Sequence, residues 1–219
     1  MMNIKSKHIN ILFWFLALLP FLMSAAFYSH LPTQVAVHFD AAGTPDGYAP
    51  RAVAAFGLPA FYFAITLFVF VMLKIDPKSS NIERSPQLKA VTLWGTVLLF
   101  DLVHAVVLMR TVNTRLDMIT VISIAVGILY VAIGNYLPKC QPNYTMGIKL
   151  PWTLASEENW RRTHRFAGPL WIIGGILIIL SSFKTFVATI VMVVSVILLC
   201  AIPAVYSYLL FRREKRNKP

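Results

Sequence analysis

The chain has 219 residues, of which 58% are apolar and only 13% charged, with 20 Lys and Arg against 9 Asp and Glu. So little charge cannot cover a soluble surface of this size, and the apolar residues fall into blocks of about 20, the length that spans the ~30 Å hydrocarbon core of a bilayer. The net charge of +11 sits at the ends of those blocks, where it sets topology and meets anionic lipid, which argues against direct binding of nucleic acid.

Lipid offers no hydrogen-bond partners, so the spans must be helices or a closed barrel. The period-2 alternation of a barrel is missing from the apolar blocks, and the fold class is an all-α, polytopic membrane bundle of six helices. Span one runs from about Ile9 to Tyr28. Small residues Ser24-Ala25-Ala26 resemble a signal-peptide end, but the apolar stretch is longer than a usual h-region and reads as a retained helix. Span two runs from about Ala52 to Leu73, span three from Ala90 to Met109, and span four from Met118 to Leu137. Span five, about Phe166 to Ser182, is short and carries Pro169, Gly174 and Gly175; span six, about Thr185 to Leu210, carries a kink at Pro203.

Placing the N-terminus inside leaves all but four of the 20 basic residues inside, the exceptions being Arg51, Arg110, Arg115 and Lys184. The positive-inside rule therefore puts both termini in the cytoplasm. The chain divides into an N-terminal half, 1–112, and a C-terminal half, 113–219, each with three spans.

Two loops are long enough to carry function. In the outer one, 29–51, Val35, Val37 and Phe39 alternate with polar or small residues and predict a short strand or hairpin, followed by a turn over Gly43-Thr44-Pro45-Asp46-Gly47. In the inner one, 138–165, Ser156 is an N-cap and Glu157 and Glu158 suit the first turn of a helix. Glu157 with Arg161 and Glu158 with Arg162 are spaced i,i+4, and Trp160 and His164 share another face, which predicts a short amphipathic helix at the membrane interface. Cys140 and Cys200 are not expected to form a disulfide, and the Asn143-Tyr144-Thr145 sequon falls on the inner side.

Asp101 and His104 lie in the middle of span three on one face with Trp94, Val97 and Leu108. An ionised carboxylate there costs about 2.5–3.5 kcal/mol on insertion scales. Either the pair handles a proton, an ion or a ligand, or a neutral Asp101 is hydrogen-bonded for packing; the sequence leaves both open. His30, His38, Asp40 and Asp46 of the outer loop could ligate a metal, but their spacing matches no metal motif, and they read as solvated loop residues. Tyr48 reads as an interfacial anchor.

Glu157-Glu158-Asn159-Trp160-Arg161-Arg162 formally matches the EExxxR pattern of membrane-embedded prenyl-protein proteases. That chemistry needs histidines on later helices, whereas here only His164 follows, and a salt-bridged helix explains the same residues. No nucleophile–base pair, P-loop or dinucleotide fingerprint appears, so neither enzyme activity nor a cofactor is expected.

The segment Leu31-Pro32-Thr33-Gln34-Val35-Ala36-Val37-His38-Phe39, with Gly43 and Pro45-Asp46-Gly47-Tyr48, resembles the N-terminal domain of unknown function in SdpI-type proteins. Gly134-Asn135-Tyr136-Leu137-Pro138-Lys139, then Asn143-Tyr144, Gly147-Ile148-Lys149, Pro151-Trp152-Thr153-Leu154, Ser156-Glu157, Trp160 and Thr163-His164-Arg165, resembles that family's C-terminal signature. Lys149 departs mildly from the C-terminal signature and Ala36 from the N-terminal segment, where arginine and proline, respectively, are more usual.

The resemblance implies an immunity-type membrane protein. The family's founding member protects a bacterium from its own secreted, membrane-active toxic peptide and draws a small transcriptional repressor to the membrane when toxin is bound. On that reading His38, Asp46, Tyr48, Asp101 and His104 are candidates for toxin or ligand binding. Asn135, Pro138, Asn143, Gly147, Pro151, Trp152, Thr153, Glu157, Trp160, His164 and Arg165 are candidates for the cytoplasmic readout. The competing class is a small proton- or solute-coupled transporter using Asp101 and His104, with Gly-interrupted and Pro-kinked spans five and six. The sequence leaves the oligomeric state and the identity of any partner beyond membrane lipid open.

Overall fold

The computed structural model describes residues 4–112 and 117–216. Arg115 and Lys218 of the charge count, and the C-terminal side of the boundary drawn between the halves, lie outside the described residues. Six helices are long and apolar enough to cross a membrane: α1 (Ile4–Phe27), α2 (Leu58–Ile75, preceded by a π turn at Val53–Gly57), α4 (Pro86–Val112), α5 (Met118–Tyr136), α7 (Glu157–Ser181) and α8 (Thr185–Arg216). Two single-turn helices, α3 (Ser79–Glu83) and α6 (Pro151–Ala155), lie in connections. The chain is a multi-pass membrane helical bundle.

Local chemistry sets the helix starts. Asp117 caps α5 by accepting from the Thr120 amide at 3.1 Å and its hydroxyl at 2.7 Å. Ser156 caps α7 by accepting from the Asn159 amide at 3.2 Å, and Glu157 and Glu158 occupy the first turn. Pro86 opens α4 and Pro151 opens α6, positions where a missing N–H leaves no bond unmade.

The helix expected at Ser156 is present, but it is not a separate interfacial element. It runs without a break into span five, so that span has 25 residues, and the inner loop ends at Ser156 rather than Arg165. Pro169 sits inside α7 without ending it. The ion pairs also differ from the i,i+4 reading: Glu158 accepts from both Arg161 and Arg162, so the expected Glu157–Arg161 pairing gives way to an i,i+3 pair at Glu158.

The strand expected in 29–51 is one arm of a hairpin. β1 (Gln34–Phe39) pairs antiparallel with β2 (Pro45–Pro50), Val35 opposite Ala49 and Ala36 opposite Tyr48, with irregular register around His38. Gly43, at φ 79°, makes the turn. Asp40 closes that turn through its own side chain, accepting from the amides of Ala42 and Thr44 at 2.8 Å each. Leu31 and Val35 seat the hairpin on Ala54, Ala55 and Leu108, and the Thr189 hydroxyl of α8 donates to the Ala41 carbonyl at 3.0 Å.

α5 and α7 form the most extensive helix pair. Gly127 lies against Gly175, and Gly134 against Gly168, so close that a Cβ on Gly134 would stand 2.7 Å from the Gly168 carbonyl oxygen and one on Gly175 2.5 Å from that of Gly127. Without a hydrophobic drive between helices in lipid, such backbone contact is what holds them together. α1, α2 and α4 are joined differently, by an aromatic cluster in which Phe13 meets Trp14, Phe70 and Trp94.

Candidate functional site

The predicted residues gather in three places. At the hairpin end, His38 and Asp46 face one another across the strands and their side chains bond, Nδ1 to Oδ1. Gly47 permits this, since a Cβ there would stand 2.8 Å from the His38 Cβ. Tyr48 is 62% exposed, and His38 and Asp46 are exposed too. Among the described residues, no three or more His, Cys, Asp and Glu side chains come together as an ion site.

In the middle of the bundle, His104 is fully buried and its Nε2 bonds the Ser24 hydroxyl of α1 at 2.7 Å. Tyr62 of α2 packs edge-on against the His104 ring and stacks on Phe100. Both carboxyl oxygens of Asp101 and Nδ1 of His104 are shielded from solvent and have no hydrogen-bond partner. Asp101 and His104 share a face, as the i,i+3 spacing predicts, but no hydrogen bond joins them.

The third place is a polar knot at the opposite end from the hairpin, and most of the sequence signature lies in it. Asn143, fully buried, accepts from the amides of Thr145 at 2.9 Å and Met146 at 2.6 Å and donates to the Gln141 carbonyl at 2.8 Å. Trp160 is 1% exposed, stacks on His164 with centroids 4.1 Å apart, and donates from its indole to the Cys140 carbonyl at 2.8 Å. His164 bonds the Trp160 carbonyl through Nδ1 and accepts from the Ile148 amide through Nε2 at 2.9 Å, which fixes the Nδ1–H tautomer. Gly147 passes over this ring pair at φ 90°, where a Cβ would stand 2.4 Å from His164 Nε2. Thr153 bridges the Ile148 and Leu150 backbone, and the Trp152 indole donates to Ser207 of α8 at 2.6 Å.

Trp160 and His164 therefore are core residues and not members of an exposed interfacial face. The rim around them is exposed: Pro151, Glu157, Arg161 and Arg165, with Tyr144 beside them. Asn135 stands apart, exposed on α5. Pro138 and Glu157 line a 470 Å³ cleft with Gln141, Pro142, Glu158 and Arg161; a 540 Å³ cleft on the other side of the α7 start is lined by Trp152, Ala155, Phe211 and Glu214. Burial pushes the Cys140 thiol up to about 12, against a smaller opposite effect from Asn143.

Sequence reasoning missed the other strand of the knot. Asp76, only 5% exposed, accepts from the Tyr144 amide at 2.9 Å and the Thr145 hydroxyl at 2.6 Å, and Asn81 donates to the Pro142 carbonyl at 2.7 Å. Ser85 accepts from the Gln141 amide at 3.0 Å. These residues sit in a stretch that reads as a plain charged linker, and nothing local marks partners some 60 positions away. Asn159, which donates to the Ser207 carbonyl at 2.9 Å, was hidden inside the EExxxR pattern.

Residues 139–207 match the SdpI/YfhL protein family, and residues 15–63 match a domain of unknown function, DUF1648. The chain is 22% identical over 205 residues to the Immunity protein SdpI of Bacillus subtilis (strain 168), covering 93% of this chain and 96% of that protein. No solved structure matches the chain. The matched segments take in the hairpin, the rim and the buried ring pair of the knot, and the alignment runs nearly end to end: over almost its whole length the chain is similar to the SdpI family.

Proposed function

We propose that this protein is an SdpI-like immunity protein of the bacterial plasma membrane, which binds a secreted, membrane-active toxic peptide at its hairpin end and reports binding at the knot. The observation that carries this reading is the near end-to-end similarity to an immunity protein. The distribution of Lys and Arg supports placing the hairpin outside and the knot in the cytoplasm.

On this reading the exposed hairpin, with Tyr48, His38 and Asp46, meets the peptide as it reaches the membrane. The readout belongs to the exposed rim, Glu157, Glu158 and Arg161 beside the two clefts, where a small repressor would dock. Trp160, His164 and Asn143 hold that rim in shape. A photo-crosslinker at Tyr48, in cells exposed to a peptide against which the protein protects, captures the peptide, whereas one at Pro142 does not. Capture at Pro142 alone would reverse the proposed sidedness.

One observation favours a second reading, a proton- or solute-coupled transporter: Asp101 holds two unpartnered carboxyl oxygens inside a span. Flux in vesicles holding the purified protein, absent in Asp101→Asn, supports it; no flux for protons or small solutes removes it.

A further inference from the structure

The unpartnered atoms around Asp101 sit at a specific place in α1. α1 and α4 touch through Phe13 with Trp94, ring centroids 5.5 Å apart, and through Ser24 with His104. The contacting positions differ by 81 and 80, so the two helices run parallel with a constant offset, and Asp101 comes level with Pro20. Phe13, Ala17, Pro20 and Ser24 form the buried stripe of α1 that faces it. The Pro20 backbone reaches the His104 ring.

Pro20 lies inside α1 and has no N–H, so the Leu16 carbonyl loses its i+4 donor at this level. A backbone acceptor freed by proline inside a span needs another partner, because lipid supplies none. By the offset between the two helices, the carboxyl group of Asp101, whose two oxygens are also without partners, comes to the same level. When the proton of His104 is on Nε2 and donated to Ser24, its unpartnered Nδ1 becomes one more acceptor. The place is lined by acceptors.

The charge balance fixes the class of ligand. No Lys or Arg occurs in α1 beyond Lys7, in α2 before Lys74, or in α4 between Lys89 and Arg110. One carboxylate therefore faces no positive charge: an anion would be repelled, and a divalent ion would leave an excess charge in lipid. A proton satisfies one acceptor, whereas an alkali ion takes several oxygens at once, as freed carbonyls and carboxylates do at interrupted membrane helices. We propose that Asp101, with the Leu16 carbonyl and His104, binds a single monovalent cation of sodium size within the bundle. This site does not depend on the immunity reading.

The test is modification of the full-length protein in detergent by dicyclohexylcarbodiimide, a reagent for protonated carboxyls in apolar surroundings, read by mass spectrometry. Without sodium, Asp101 is labelled, and Asp101→Asn abolishes that label. Millimolar sodium chloride protects the wild type, and choline chloride at equal ionic strength does not. Pro20→Ala, which returns a donor to the Leu16 carbonyl, is still labelled but needs at least tenfold more sodium for half-protection. Failure to label Asp101, labelling indifferent to sodium, or equal protection by choline each overturns the cation site. The wild-type comparison decides the matter even if Pro20→Ala fails to fold. No toxic peptide enters the assay, so its failure is separate from a failure of the immunity reading.

Discussion

Asn143 concentrates more of the knot in one side chain than any other residue of the signature. Its carboxamide accepts from two amides and donates to a carbonyl while fully buried. Asn143→Ala leaves two buried N–H groups without a partner, each worth about 1–3 kcal/mol. The expected loss is about 2–4 kcal/mol on that scale, measured as a lower unfolding temperature in detergent. Asn135→Ala, on an exposed residue of the same signature, shifts it little. Cys140 provides a pH test. Its thiol is held at about 12 in the fold, against an ordinary 9.0, so the native state keeps the proton longer than the unfolded chain. The sign follows: this contribution to stability is complete below pH 9 and is lost as pH rises from about 9 toward 12. At pH 8, maleimide leaves native Cys140 unmodified and reacts once the protein is denatured.

Much of the local chemistry at this scale was legible. Ser156 as an N-cap, Glu158 with Arg162, the turn at Gly43, and Asp101 beside His104 all follow from spacing. Burial was not. A helical wheel puts Trp160 and His164 on one face but cannot show that 140–148 folds over that face, so the pair read as a membrane-surface feature. Asp76 was invisible for the same reason: its partners Tyr144 and Thr145 lie 68 and 69 positions on.

Among the elements, the α5–α7 pair sets the geometry of the C-terminal half. Gly127 and Gly134 repeat at an interval of seven, as do Gly168 and Gly175, and the two pairs meet. That interval was present in the sequence and is the signal that would have found the interface; attention to Gly174 and Gly175 as interruptions of span five obscured it. Gly134→Val drives a branched side chain into the Gly168 backbone and separates the helices, with an expected loss of about 3 kcal/mol or more, by analogy with overpacked cores. The readout is aggregation or early unfolding of the purified protein, with Gly57→Val, whose Cβ would find only ordinary contact, as the control. The knot hangs from the loop end of this pair through Pro138, which packs against Gly168, so the same substitution also disturbs the rim. The fusion of the Ser156 helix with span five makes the start of α7 one rigid lever from rim to membrane interior. Periodicity alone had cut it at Phe166, where apolar composition begins.

At the scale of the whole molecule, the six spans and the hairpin were readable, because bilayer thickness acts on composition and strand alternation is local, not a matter of distant contacts. How the halves are tied was not readable. At one end the Asp76–Asn81–Ser85 stretch grips residues 141–145, and at the other the hairpin touches α8 through Thr189. On the proposed function, a peptide that moves the hairpin would act on both halves, a route from the hairpin end to the rim. Asp76→Ala tests this coupling: protection against a peptide persists, while recruitment of a cytoplasmic partner, followed as membrane localisation of a fluorescent repressor, falls at least severalfold.

The most direct measurement is survival of a sensitive bacterium expressing this chain, challenged with a panel of secreted membrane-active peptides, beside a strain expressing Asp101→Asn at equal membrane abundance. The account predicts that the wild type protects against at least one peptide; loss of that protection in the variant would bring Asp101 into the immunity mechanism as well. A normally inserted, folded wild type that protects against none of them would contradict the immunity function and leave transport through the bundle as the reading to pursue.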